Sequence, residues 1–295
     1  MDEGELNEDV RRSRLIISRR RALSLGGTIG LGSLLAACTG DQATSTDAAP
    51  SSASPTATPS ASPPSSMSLP TTAAAADSDL IAALDAGRTC SPSPEQTEGP
   101  FWFDVDSIRS DIREDRPGTP LELAFRVHDV SACSDGGQAV PVSNAVVEIW
   151  HCDAGGRYSG FESGAAGRGG GTSDGGYSVG DREAAPSDDG TYLRGAQVAD
   201  RNGIVQFTTI FPGWYRGRTT HVHVKVHVSR ESVLSTQVYV PDEVAEQVYA
   251  LSPYRDHTGR DTYNADDFLF SDDAVLTVSQ LDDRYRGLIN LGVVL

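Results

Sequence analysis

The feature that most limits what this chain can fold into is the run His221-Val222-His223-Val224-Lys225-Val226-His227-Val228. Side chains alternate across a β-strand, so the four valines share one face and His221, His223, Lys225 and His227 share the other. Valine is stiff at χ1 and packs well on a pleated surface, which favours the extended form. The run is expected to be a strand whose valine face fills a core. His221 and His223 then project side by side from the opposite face, and two imidazoles so placed can meet one metal ion. Taken alone, the pair could equally be a polar sheet face that binds nothing.

Related patterns flank this strand. Leu121, Leu123, Phe125 and Val127 alternate with more polar neighbours across Leu121–Val130, and Ala145–Trp150 is rich in β-branched residues. Gly203–Ile210, Ser235–Val240, Val275–Gln280 and Leu288–Val294 read as further strands, with turn signals at Gly136-Gly137, Asn202-Gly203 and Pro212-Gly213. Glu243–Tyr249 reads as one or two helical turns. Residues 153–191 are mostly Gly, Ser, Asp and Arg, and an irregular segment of that length inside a domain is often functional. The expected fold class is all-β, a β-sandwich with long loops around a metal site.

Ahead of this domain lies a different kind of sequence. Arg11, Arg12, Arg14, Arg19, Arg20 and Arg21 form the one basic cluster, and a mildly apolar run follows from Ala22 to Ala37. Its length and flanks suit an export signal better than a membrane span. Ser18-Arg19-Arg20-Arg21-Ala22-Leu23 resembles a twin-arginine signal. Leu35-Ala36-Ala37-Cys38 resembles a lipobox, which implies a lipidated Cys38 as the first mature residue; an ordinary cleaved signal is the alternative. Residues 39–76 are almost wholly Ser, Thr, Ala, Pro, Gly and Asp, too poor in apolar surface to offset the entropy of ordering, although Ala73–Ala76 could begin a short helix toward Ala86. The expected organisation is a signal peptide over 1–37, a tether over 38–87 and a folded domain over 88–295, exported and either membrane-anchored or extracellular. The net charge of −17 argues against a nucleic-acid surface. Cys90, Cys133 and Cys152 remain, so at most one bridge forms among them. If the strands beside Cys133 and Cys152 are antiparallel neighbours, these two lie at opposite ends, which favours a bridge from Cys90 to one of them.

Two motifs carry a resemblance. The first is Val147-Glu148-Ile149-Trp150-His151-Cys152-Asp153-Ala154-Gly155-Gly156-Arg157-Tyr158. The second is Thr208-Thr209-Ile210-Phe211-Pro212-Gly213-Trp214-Tyr215, followed by Arg218 and His221-Val222-His223. Thr97-Glu98-Gly99-Pro100-Phe101-Trp102, Tyr192-Leu193-Arg194-Gly195 and Gln237 add to them. In this order the motifs resemble the intradiol ring-cleavage dioxygenases, especially a secreted subgroup, over roughly residues 88–295. The resemblance implies an Fe(III) ion held by Tyr158 and His221 as equatorial ligands and by Tyr215 and His223 as axial ones. It implies that Arg218 and Gln237 stand beside the substrate, and that Tyr215 leaves the metal as substrate arrives and helps take up its protons. The substrates implied are a small catechol-type diol and O2, the product a cis,cis-muconate, with no organic cofactor.

The chain departs from many cytoplasmic members in two ways. The Tyr215-to-His221 spacing is short, and the helical N-terminal dimerisation segment is replaced by the tether. Among the other histidines, His227 is expected to pack on the sheet or the surface, and His151 adjoins the first motif. Trp150 and Trp214 are expected to pack around the site. The competing functions are a non-catalytic binding module on a lipoprotein, and a copper or zinc site using the histidines.

Overall fold

The alternating runs become strands because each has one apolar face to bury. The structure, a computed structural model, describes residues 71–87, 90–103, 105, 107–162, 186–229 and 233–295. The expected signal peptide, Cys38, the tether up to residue 70 and residues 163–185 of the expected 153–191 loop lie outside the described residues. In chain order the elements are α1 (Thr71–Asp85), β1 (Pro120–Asp129), β2 (Val140–Pro141), β3 (Val146–Trp150), β4 (Arg194–Val198), β5 (Ile204–Ile210), β6 (His221–His227), β7 (Val233–Tyr239), α2 (Asp242–Tyr249), β8 (Thr277–Gln280) and β9 (Tyr285–Val293).

Two sheets form. The first runs β2-β1-β9-β8, with β5 also pairing with β1, and its one parallel pair is β1 with β9. The second is antiparallel in the order β4-β3-β6-β7. Leu121, Leu123, Phe125, Val127, Val205 and Phe207 from the first sheet meet Val147, Ile149, Val222, Val224, Val226 and Val238 from the second in one core. The valine face of β6 is completely buried there. Each such side chain contributes about 1.5–3 kcal/mol relative to exposure.

The expectation of an all-β fold is corrected: the fold is mixed, with helices of 15 and 8 residues beside the two sheets. Both helices have a tertiary cause. In α1, Leu80 and Leu84 are four residues apart, so they lie on one side of the helix. They dock on Ala124, Ile204 and Leu288 of the outer face of the first sheet. Asn290 Nδ2 donates to the Leu84 carbonyl at 2.8 Å, and Arg126 pairs with Asp85. The end of α1, residues 80–85, thus packs on the domain although it lies in the segment read as tether. In α2, Ala245 and Val248 are buried on one face. Alternation could not report either helix. Among the described residues no helix is long and apolar enough to cross a membrane.

Cys90 bridges Cys133, with Cα atoms 5.6 Å apart, and Cys152 is free and buried. The bridge ties the start of the 90–103 segment to the end of β1. Closing that 43-residue separation stabilises by at most about 4 kcal/mol. The anchored segment then crosses the histidine-bearing face of the second sheet. Gln96 N donates to the Ser235 carbonyl at 2.8 Å, and Gln237 Nε2 donates to the Thr97 carbonyl at 3.1 Å.

Candidate metal centre

The register of the second sheet lays out the centre. Trp150 of β3 pairs with His223 of β6 on one side and with Arg194 of β4 on the other. His223 pairs in turn with Gln237 of β7. These four residues make one transverse row on the face opposite the valines, and His221 stands two positions along β6. Tyr158 arrives from the turn after β3 and Tyr215 from the turn before β6. Gly156 has φ 79°, and a Cβ there would lie 2.3 Å from the Trp214 carbonyl oxygen. Only glycine lets these two turns touch, and their contact carries both tyrosines to one point.

The polar tips converge tightly. Tyr158 Oη lies 3.3 Å and Tyr215 Oη 3.2 Å from His221 Nε2, which is itself 3.2 Å from His223 Nε2. His221 Nδ1 donates to the Thr219 carbonyl at 2.6 Å, which fixes the tautomer and leaves an Nε2 lone pair for the centre. Two phenols and a second imidazole compete for that one lone pair. Donors bound at about 2.1 Å to a single ion stand about 3.0–3.6 Å apart, so these separations fit four ligands around one cation. Among the described residues no three His, Cys, Asp or Glu side chains gather at one point. This centre is built from two imidazoles and two phenols instead.

Burial sets its electrostatics. His221 and His223 are 2% and 1% exposed. Burial, then the positive charges nearby, hold both imidazoles well below the usual histidine range. Burial thus disfavours the protonated form of both rings. Burial pushes the Tyr158 phenol well above its ordinary value, and the Tyr215 phenol up to about 12. A phenolate at this point therefore needs a cation beside it. Trp150 stacks flat on His223 with ring centres 4.9 Å apart, and Phe101 stacks on Tyr158 at 4.5 Å. A Cβ on Gly99, which has φ 74°, would lie 3.1 Å from His223 Cε1. The Thr97–Trp102 segment thus presses the second imidazole into place.

Beside the centre stands a polar layer. Arg218 donates from Nε to Asp267 Oδ2 at 2.8 Å and from Nη2 to Gln237 Oε1. Asp267 Oδ2 also accepts from Thr219 N at 2.9 Å, so one carboxylate orients Arg218 and the strand that carries the histidines. Burial opposes the charge of Arg218, but the neighbouring Tyr215 and Asp267 outweigh it and raise its pKa. Phe268, next to Asp267, is 82% exposed, with its ring centre 6.0 Å from the Arg218 guanidinium.

The structure brings Tyr158, Tyr215, His221 and His223 together, with Arg218 and Gln237 in contact beside them. His227 lies outside the centre, 3.4 Å from Glu148 Oε2. His151 is fully buried with both ring nitrogens partnered, by the Cys152 carbonyl at 2.8 Å and by Thr209 Oγ1 at 2.7 Å. Trp214 and His257 pack together and exchange hydrogen bonds with each other's carbonyls. Asp267 and Phe101 escaped sequence reasoning. Asp267 sits in an irregular acidic stretch with no periodicity. Phe101 lies in a quoted motif, but nothing local tells which ring it meets.

Residues 93–251, more than half of the chain, match the family model described as "Dioxygenase". The solved structure of an intradiol ring-cleavage dioxygenase from Tetranychus urticae is 32% identical. It matches over 70% of this chain and 95% of its own, with a TM-score of 0.58. A second solved structure, dioxygenase Tetur07g02040, gives the same values. The dioxygenase domain of a carbohydrate-binding fusion from Streptomyces sp. SirexAA-E is 26% identical over 70% of this chain and 99% of its own, with a TM-score of 0.48. Comparison with curated proteins finds no match. A paired-histidine strand, two tyrosines brought to it by touching turns, and a matched span that contains all four residues make this chain a member of the intradiol ring-cleavage dioxygenase family.

Proposed function

We propose that the protein cleaves catechol-type aromatic diols between their two hydroxyl-bearing carbons, using O2 and an Fe(III) ion held by Tyr158, Tyr215, His221 and His223, to give cis,cis-muconate-type products. The observation that carries this is that two phenol oxygens and the second imidazole nitrogen each lie within 3.3 Å of His221 Nε2. Hard phenolate oxygens suit a ferric ion, and two phenolates with two neutral imidazoles would leave it near a single positive charge. When bound, the ferric ion supplies a Lewis-acidic centre that takes up both diol oxygens and joins the diol to O2 chemistry.

The chain's own residues do the rest. Tyr215 is the less buried of the two tyrosines, so it is the one placed to receive a diol proton at its Oη. Arg218 presents a fixed positive charge to developing negative charge on the substrate, and Asp267 and Gln237 hold its orientation. The stacked rings of Trp150 and Phe101 exclude water from the imidazole and phenol ligands. The same proposal puts the domain outside the cell membrane, on lipid attached to Cys38. Its support is the leader sequence, and Cys38→Ser is expected to release the protein from membranes.

The test is a visible spectrum of the ferric-loaded protein before and after anaerobic catechol. A broad tyrosinate-to-iron band that moves to longer wavelength with catechol, followed by a muconate product on admitting air, is the expected result. A protein that stays colourless after ferric loading would overturn the proposal.

A further inference from the structure

Arg194 is the most buried cationic side chain in the described structure that lacks a carboxylate partner. It is 2% exposed. Among the described residues it forms no ion pair, although the charges of Glu148 and Asp188 reach it at longer range. Nε donates to Ser159 Oγ at 2.8 Å and Nη2 donates to the Ser159 carbonyl at 2.8 Å. The Ser159 hydroxyl donates onward to the Tyr192 carbonyl at 2.6 Å. Three aromatic rings surround the guanidinium: Phe103 at 4.3 Å, Phe161 at 5.8 Å and Tyr158 at 5.9 Å.

Guanidinium keeps its proton inside proteins, and a buried charge is tolerated when a countercharge or full hydrogen bonding answers it. Cation–π contact answers it only in part. Ser159, which takes both hydrogen bonds, is the residue next to Tyr158. Leu193, just before Arg194, is fully buried at φ 56°, a conformation that bulky side chains avoid. It holds there because its N–H donates to the Ile112 carbonyl at 2.7 Å and its carbonyl accepts from His151 N at 3.2 Å. The backbone is thus forced into a strained turn that delivers Arg194 behind Tyr158.

We propose that Arg194 is the positioning residue and charge partner of Tyr158, clamping the turn through Ser159 and answering the negative charge that Tyr158 carries as a metal ligand. The proposal rests on the ferric reading above, in which Tyr158 binds as a phenolate. A positive charge beside that phenolate lowers its filled orbitals. It thereby raises the energy of the tyrosinate-to-iron transition.

The experiment uses the full chain and three variants. Arg194→Met removes charge and hydrogen bonds, Arg194→Gln keeps a donor without charge, and Arg194→Lys keeps charge without the fork. Ferric retention against a competing chelator, the position of the charge-transfer band, and thermal unfolding of the metal-free protein are measured for each. The neutral variants are expected to lose ferric affinity by about 10–100-fold, the usual effect of removing an outer-shell partner, and to shift the band to longer wavelength. The Lys variant is expected to recover most of both. Gln serves as the neutral variant if Met does not fold. A coloured parent with neutral variants that match its band and retention would overturn this inference and leave the ferric reading standing. Equal loss in Lys and Gln, in step with lowered thermal stability, would also overturn it and make Arg194 structural. A colourless parent would overturn both.

Discussion

Over His221–Val224 the two faces of β6 are equally buried and chemically opposite. Val222, Val224 and Val226 are 0% exposed, and His221 and His223 on the other face are 2% and 1% exposed. The valines interlock with both sheets and need nothing more. The histidines are covered by Trp150, Phe101 and the Thr97–Trp102 segment, yet their polar atoms are poorly answered. His223 Nδ1 is buried without a hydrogen-bond partner, and the two Nε2 atoms face each other. Buried polar groups are ordinarily satisfied, so a place where they are not marks a site rather than a core. Burial alone does not tell the faces apart. Hydrogen-bond satisfaction does.

The sharpest break of this comparison is His221→Ala. Ring-cleavage activity should fall by at least about a thousandfold with loss of this proposed metal ligand, because in the proposed reaction the metal carries the chemistry. Metal-free stability should hold or rise, since a costly buried group is removed. A large loss of metal-free stability, read from urea unfolding, would mean that the histidine face is held by its own contacts after all.

His151 sharpens the comparison from the other side, being a buried histidine with both nitrogens answered. Burial lowers its pKa from 6.5 to about 4. The unfolded chain therefore binds the proton more readily, and below pH 6.5 protonation favours unfolding. Stability should decline as pH falls from 6.5 to about 4 and level off below, by about 3 kcal/mol in all. His151→Gln should flatten that part of the pH profile of urea unfolding; an unchanged slope would assign it to other groups.

On the valine face, Val224→Ala should cost about 2 kcal/mol of stability through a small cavity, with the visible spectrum of the ferric protein unmoved. A shifted band would show that the two faces are coupled through the strand. The smallest effect is expected for Asp267→Asn. It loosens Arg218 without touching a proposed ligand. kcat/KM should drop about tenfold, or about 1.4 kcal/mol, with ferric content intact. Loss of ferric content would instead make Asp267 a support of the histidines through Thr219.

Much of the strand framework was legible because alternation is a local property. β1, β3, β5, β6, β7, β8 and β9 each lie within a few residues of their expected places. β4 was not legible: Arg194-Gly195-Ala196-Gln197-Val198 has a glycine, a glutamine and little alternation, and is a strand because β3 offers it a full ladder. β2 is two residues that exist only as partners of His128 and Asp129. Both helices lie close to where the sequence suggested helical turns, Glu243–Tyr249 and the stretch from Ala73 toward Ala86, but what fixes them is not local. α1 is held by docking of Leu80 and Leu84 on a distant sheet face.

The sequence by itself determined that His221 and His223 share a face and that the valines share the other, because the side-chain period of a strand is two. Its motifs also pointed to Tyr158, Tyr215, Arg218 and Gln237. Tertiary structure alone decided that the turns at Gly156 and Trp214 touch and that Cys90 pairs with Cys133. It also decided that Asp267 reaches Arg218 across 49 residues of chain and that Arg194 lies behind Tyr158. Local pattern carries which side a residue faces. It carries nothing about what arrives on that side, because that depends on contacts between segments far apart in the chain.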